Sequence, residues 1–332
     1  MIRVSSSSLN IKSAIQTFVL LSSIKWLVGS DTYRSTDFDV HRLWLAITHH
    51  LPLSEWYFND VNGTTVHTLD YPPLFAFFES GLSNNYITST LLENGWLDRR
   101  CLDLLPDNDN SPSDQCVRFQ RGTVILSDVV LFIGAYLATK SMSTLGEGCS
   151  RAPYFTFLLI VTNPGLLMLD HVHFQYNGMM LGLLLISIAF MVRGASHRTE
   201  NNILLQNDQR WELLSAGCFG MLLAMKHLYL ILAPLYFFYL LRRHCFVVEM
   251  KGKGYSISFS LKRLVVLAIV TLVCFLGPFI PFLMQNDPVG QMQQIMKRLF
   301  PFGRGVSRYI TCSSFCHHHV LIYTYINIPA CS

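Results

Sequence analysis

Residues 153–192 read PYFTFLLIVTNPGLLMLDHVHFQYNGMMLGLLLISIAFMV. Two apolar runs, each close to the roughly 20 residues a helix needs to cross a bilayer, meet at Asp170-His171-Val172-His173-Phe174-Gln175-Tyr176-Asn177 with almost no loop between them. In hydrocarbon every backbone amide must be satisfied within its own segment, so both runs are helices and the stretch is a transmembrane hairpin. Its tip carries an acid, two imidazoles and two amides at the membrane boundary. Polar groups at that depth line a cavity instead of facing lipid.

The rest of the chain agrees. Of 332 residues, 51% are apolar and 14% charged, against roughly 25% charged in a soluble domain, and the mean hydropathy is +0.35. A dispersed net charge of +4 gives nucleic acid no electrostatic footprint. The apolar content excludes disorder, and nine cysteines without dense spacing are not a disulfide scaffold. Further spans are expected at residues 14–28, 123–139, 213–225, 228–241 and 264–284, with the hairpin contributing 153–169 and 176–192. The expected fold is therefore all-α, a polytopic membrane bundle of about seven spans. The first span is interrupted by Lys25, but its position behind Arg3 and Lys12 suits a signal anchor, and no small-residue cleavage site follows.

Loop charges give the orientation. With a cytosolic N-terminus, Lys140 and Arg151, then Arg193, Arg198 and Arg210, then the cluster from Arg242 to Arg263 all fall on the cytosolic side, as the positive-inside rule requires. The opposite side receives the loop 31–120, the turn around residues 171–175, Lys226-His227 and everything after 285. Asn62-Gly63-Thr64 in that loop is a glycosylation sequon. Cys101 and Cys116 share the loop, either bridged or as two free thiols. The chain divides into an N-terminal tail and first helix (1–30), the loop with interfacial helices (31–120), the membrane bundle (121–285), a further non-cytosolic element (286–305) and a tail (306–332).

Several polar residues converge on that side. Asp37 and Asp39 stand directly after the first span, followed by Val40, Leu43, Trp44, Ile47 and Leu51 at helical spacing, an amphipathic helix expected at the membrane surface. Asp37 reads either as the cap of that helix, with Asp39 in its first turn, or as a reactive acid. His171 and His173 lack the partner set that zinc needs, so no metal and no cofactor is expected. Lys226 either snorkels to the interface or joins the imidazoles as a cation. Asp128 lies inside a span and needs a partner, as a structural hydrogen bond or at a cavity floor. The turn Leu69-Asp70-Tyr71-Pro72-Pro73 is rigid, and Asp70 either braces it or meets substrate.

The run STDFDVHRLWLAITHHLPLSEWY (35–57), LDYPPLFAFFE (69–79), HVHFQYNGMMLGLLLISIA (171–189), MKHLYLILAPLYFFYLL (225–241) and RLFPFGRG (298–305) together resemble the dolichyl-phosphate-glucose-dependent α-1,3-glucosyltransferases of the endoplasmic reticulum. Gln175-Tyr176-Asn177-Gly178 and Lys226-His227-Leu228-Tyr229 look more like the members that add the second glucose. The resemblance implies a GT-C bundle in the endoplasmic reticulum membrane with its active site on the luminal face. The donor it implies is dolichyl phosphate glucose, the acceptor Glc1Man9GlcNAc2-PP-dolichol, with membrane lipid around both and the dolichol chain lying between Phe- and Leu-rich helix faces. The family's catalytic aspartate maps onto Asp37. Inversion at the anomeric carbon needs a general base, assigned to Asp37 with Asp39 in support. The departing phosphate needs positive charge, for which His171, His173, Lys226 and His227 are candidates, with Gln175, Arg42 and Arg304 assisting.

The resemblance ends after Gly305, where the chain reads VSRYITCSSFCHHHVLIYTYINIPACS. The expected source is a splice product, a shifted frame or a gene-model error, and the expected consequence is a chain that keeps the base yet transfers glucose poorly or not at all. Cys312, Cys316 and His317 to His319 match zinc ligands only in composition. Two other classes remain: a non-catalytic isoform that binds lipid-linked glycan, and a transporter or scramblase, against which stand the clustering of polar residues at one face and the lack of internal repeats.

Overall fold

The long apolar runs fold as helices. The computed structural model describes residues 9–28, 33–58, 67–104, 112–143, 153–200, 210–251 and 254–300; the Asn62 sequon, Arg304 and the 306–332 tail lie outside them. The chain runs through α1 (Ile11–Val28), α2 (Thr36–His50), α3 (Pro73–Leu82), α4 (Asn85–Glu93), α5 (Asp114–Ser143), α6 (Pro153–Val161) and α7 (Pro164–Leu166), which a π-helical turn continues over Leu167–Val172. Then follow α8 (Asn177–Glu200), α9 (Arg210–Met225), α10 (Ala233–Leu240), strands β1 (Phe246–Lys251) and β2 (Gly254–Phe259), α11 (Leu261–Leu276), α12 (Ile280–Leu283) and α13 (Pro288–Leu299).

Among the described residues, five helical segments are long and apolar enough to cross a membrane: Ile11–Val28, Asp114–Ser143, Pro153–Val172, Asn177–Gly194 and Leu261–Leu283. The other two expected spans are not continuous helices of that length. Residues 213–225 belong to α9, a helix of 16 residues buried along most of its length. Residues 228–241 are broken into a 3-10 stretch over His227–Leu232 and the eight-residue α10, which starts at a proline-bearing first turn, because Pro234 lacks the amide that would continue the preceding turn.

The all-α expectation is corrected in one place. Strands β1 and β2 pair antiparallel, from Phe246 opposite Phe259 to Lys251 opposite Gly254. The signal was present in Tyr255-Ser256-Ile257-Ser258-Phe259, where apolar and polar residues alternate with the period of a strand.

Two helix contacts set the frame. At the crossing of α5 and α8, a Cβ on Gly134 would overlap the carbonyl of Gly182, and one on Gly182 would lie 2.5 Å from backbone atoms of Val130 and Leu131. The two backbones touch, as small residues permit between helices that gain nothing from the hydrophobic effect in lipid. Ser187 of α8 donates to the Ser215 carbonyl of α9 at 2.8 Å, a buried polar contact of the same kind.

Helix α5 is 30 residues long, about 45 Å at 1.5 Å per residue, more than a hydrocarbon core of about 30 Å. The helix is thus long enough to project beyond a bilayer, and its first turn holds Cys116, which is disulfide-bonded to Cys101. Helix α2 is also placed differently from expectation. It is buried on nearly all sides, with Phe38, Trp44 and Ile47 in the main apolar cluster and Leu45 in a second one with Leu97, Cys101, Leu102 and Cys116. It is a core helix packed between these two clusters, and burying Phe38 or Ile47 contributes roughly 1.5–3 kcal/mol each. Helix α13 is tied to the segment after α2: Gln291 and Gln294 donate to the carbonyls of Ser54 and Tyr57 at 2.7 and 2.9 Å.

Candidate active site

The cap of α2 is Ser35, not Asp37. The Ser35 hydroxyl accepts from the Phe38 amide at 3.3 Å and itself donates to the carbonyl of His173. With capping done by Ser35, Asp37 is released into the first turn, where its side chain is 34% exposed. The Gln175 amide donates to Asp37 Oδ2, and His173 Nε2 lies 3.2 Å from the same oxygen. Asp37 Oδ1 has no hydrogen-bond partner among the described residues. A carboxylate held by one oxygen and open at the other is oriented yet able to take a proton.

Asp39 does not join it. Two residues apart on a helix is about 200° around the axis, so Asp39 turns toward Arg42 one turn on. Burial raises its carboxyl above the ordinary value, opposed by the charges of Arg42, His67 and Arg34. Arg42 is buried and donates to the Asp103 and Arg100 carbonyls at 2.9 and 3.5 Å. Its guanidinium thus fastens α2 to the 3-10 turn at Arg99–Leu102 and does not face Asp37.

The turn that supplies His173 and Gln175 contains the one non-glycine residue of positive φ among the described residues, Phe174 at φ 79°. For an L-residue this conformation costs about 1–2 kcal/mol. It is offset by packing, since Phe174 is fully buried and meets Phe38 edge-on, with ring centroids 5.2 Å apart. Sending residue 174 into the core lets both its neighbours reach Asp37.

Beyond Gln175 the amides form a chain. Gln175 Oε1 accepts from Asn177 Nδ2 at 2.6 Å, and Asn177 Oδ1 accepts from Lys226 Nζ at 2.9 Å. Asp170 caps α8, accepting from the amides of Asn177 at 3.1 Å and Gly178 at 2.5 Å. Lys226 also lies 5.2 Å from the centre of the Tyr71 ring. Burial lowers the Lys226 pKa, while the charges of Asp170, Asp37 and Asp70 raise it. His227 is pushed below the ordinary histidine value, first by burial and then by Lys226, so near pH 7 it is a neutral imidazole and not a cation. Asp70 is exposed on the same side; its segment is braced by Trp44 and Tyr57, which donate to the carbonyls of Thr68 and Tyr71 at 3.1 and 2.7 Å.

His171 lies apart from this group. It is buried, with Nε2 2.9 Å from Asp128 Oδ2, which also accepts from Lys25 Nζ at 2.5 Å. The partner that intramembrane Asp128 requires is thus Lys25, which in the sequence looked only like an interruption of the first span. Arg121 escaped the sequence reading altogether: it donates to the His171 carbonyl and, at 2.9 Å, to that of Tyr33. Gly178 packs so closely that a Cβ there would lie 2.8 Å from Asp128 Oδ1. Among the described residues no group of three or more His, Cys, Asp or Glu is arranged to hold a metal ion.

The helices long and apolar enough to cross a membrane, with a half-buried acid, an amide chain and a lysine gathered together, describe a polytopic membrane protein, and sequence comparison gives its class. Residues 21–327 match the ALG6, ALG8 glycosyltransferase family, and the chain belongs to that family. The match extends beyond Gly305. Dolichyl pyrophosphate Glc1Man9GlcNAc2 alpha-1,3-glucosyltransferase of Arabidopsis thaliana is 37% identical over 305 residues, covering 92% of this chain and 51% of the relative. The proteins of the same name in Mus musculus and Schizosaccharomyces pombe are each 38% identical, over 279 and 281 residues, covering 83% of this chain and 47% of either relative. The chain thus spans about half the length of these relatives.

Proposed function

We propose that this chain carries the catalytic end of an inverting α-1,3-glucosyltransferase. In this reading it acts on the luminal face of the endoplasmic reticulum membrane and passes glucose from dolichyl phosphate glucose to Glc1Man9GlcNAc2-PP-dolichol. The observation that carries the reading is the state of Asp37: fixed through Oδ2 by Gln175 and His173, half-buried, and without a hydrogen-bond partner at Oδ1 among the described residues. Asp37 takes the proton of the acceptor 3-hydroxyl as that oxygen forms its bond to the glucose anomeric carbon. The bond from that carbon to the phosphate oxygen breaks, and dolichyl phosphate leaves with the electron pair. Lys226 neutralises the charge that develops on the phosphate, exchanging its contact with Asn177 for the ligand. Neutral His227 donates a hydrogen bond, and the step needs no metal.

The test is expression in cells that lack the second glucosyltransferase, followed by profiling of lipid-linked oligosaccharides. Diglucosylated and larger species are expected to appear, and Asp37→Asn to remove them. A correctly inserted chain that yields none sinks the transfer reading and leaves the glycan-binding isoform.

A further inference from the structure

Four charged groups are buried behind the site and touch no substrate in the mechanism above: Lys25, Arg121, Asp128 and Asp170. Their connections lead to Asp37. Lys25 of α1 donates to Asp128 of α5 at 2.5 Å, and the same Asp128 oxygen lies 2.9 Å from His171 Nε2. The His171 carbonyl accepts from Arg121, which also holds the carbonyl of Tyr33 just before α2. Two residues beyond His171, His173 gives its carbonyl to Ser35 and its ring to Asp37. The path from the first membrane helix to the reactive carboxylate is thus a continuous series of ion pairs, hydrogen bonds and three residues of backbone.

Stability does not account for it. A buried ion pair is commonly no more stabilising than well-packed apolar residues of the same volume, and α1 already has an apolar seam to the bundle, through Ala14, Phe18 and Leu21 against the cluster of Phe132 and Phe157. What the pair supplies is direction. The carboxylate shared by Lys25 and His171 fixes where the His171 ring sits, and with it the start of a turn whose later residues orient Asp37.

We propose that Lys25, acting through Asp128 and His171, is a positioning residue for the Asp37 site, which makes α1 part of the active-site frame and not merely an anchor. The inference rests on the assignment of Asp37 as the base. Its test is the double variant Lys25→Met with Asp128→Leu in the full chain, which removes both charges together so that neither is left buried alone. Expected are a protein that folds, a kcat lower by about tenfold to a hundredfold, as a displaced reacting group produces, and an acceptor KM that stays the same. Lys25→Arg alone should retain most of the rate. Hydrogen exchange in residues 168–178 should rise in the double variant while the centre of α8 stays protected. Unchanged exchange in that turn, or a kcat equal to that of the parent, overturns the proposal. Exchange is read whether or not the chain transfers glucose, so a parent chain without activity refutes the assigned function and still leaves this inference decided.

Discussion

Ser35 is bonded to His173 across 138 positions of sequence. The same hydroxyl caps α2, so the group that starts the helix bearing Asp37 also grips the turn bearing His173 and Gln175. The helix start and the turn are therefore tied together, and this serine is one of the groups that hold His173 Nε2 near Asp37 Oδ2, beside the Phe38–Phe174 contact and the Gln175 bond. Ser35 and the Lys25 path act on opposite ends of the same turn.

Ser35→Ala removes both bonds. Loss of a cap costs about 1 kcal/mol, and losing the part-buried bond to the His173 carbonyl adds about 0.5–1.5 kcal/mol. Thermal unfolding of the purified protein in detergent micelles should show a lower midpoint, and Ser35→Thr, which keeps the hydroxyl, should recover most of it. A midpoint equal to that of the parent in Ser35→Ala would show that the bond carries nothing.

How much of this was legible in the sequence depends on the range of the interactions. The helices followed from local apolar runs, and the hairpin at residues 153–192 placed His173, Gln175 and Asn177 at one tip. Asp37 was visible because it follows a span directly. Three things were not visible. The division of labour between Asp37 and Asp39 depends on which residue caps α2, and Ser35 and Asp37 are both good caps. The role of Lys25 depends on a partner 103 residues away. Arg42 looked available for phosphate, yet its position on α2 aims it at Arg100 and Asp103 carbonyls, which no local pattern announces. The break inside residues 228–241 was missed because apolar content was read without the interruption that Pro234 imposes.

The disulfide gives a second prediction. Cys101 and Cys116 close a segment with a sequence separation of 15, and a loop of that size stabilises by about 3 kcal/mol through the unfolded chain. Replacing both with serine should lower the unfolding midpoint and loosen the layer around α2, whose Leu45 packs in the same cluster. A reductant should have the same effect on the parent and none on the variant.

Gly178 is the site of a paired comparison. A Cβ there would lie 2.8 Å from Asp128 Oδ1 and 3.1 Å from Asp170 Oδ2. Neither oxygen's carboxylate can move away, because Asp128 is tied to Lys25 and Asp170 to the start of α8. Gly178→Ala should cost about 1–3 kcal/mol. At Gly81 in α3 a Cβ meets nothing within 4 Å, so Gly81→Ala should be neutral or stabilising by up to about 1 kcal/mol. Denaturation midpoints of the two variants decide the matter, and equal values would mean that the close approach at Gly178 is relieved in solution.

Lys226 supplies the pH dependence. Burial is the largest influence on its amine and lowers the pKa, with Asp170, Asp37 and Asp70 acting in the opposite direction. A lysine with a lowered pKa is cationic below that value and neutral above it, so its hold on a phosphate is present at low pH and lost as pH rises. The loss should begin at a pH below that of an ordinary lysine. If the proposed donor is the substrate, KM for dolichyl phosphate glucose should therefore climb through the alkaline range. Arginine stays protonated past pH 12, so Lys226→Arg should move that climb to higher pH, whereas Lys226→Met should raise KM at every pH and flatten the profile. An alkaline limb that keeps its position in Lys226→Arg would assign the titration to another group and remove Lys226 from the phosphate site.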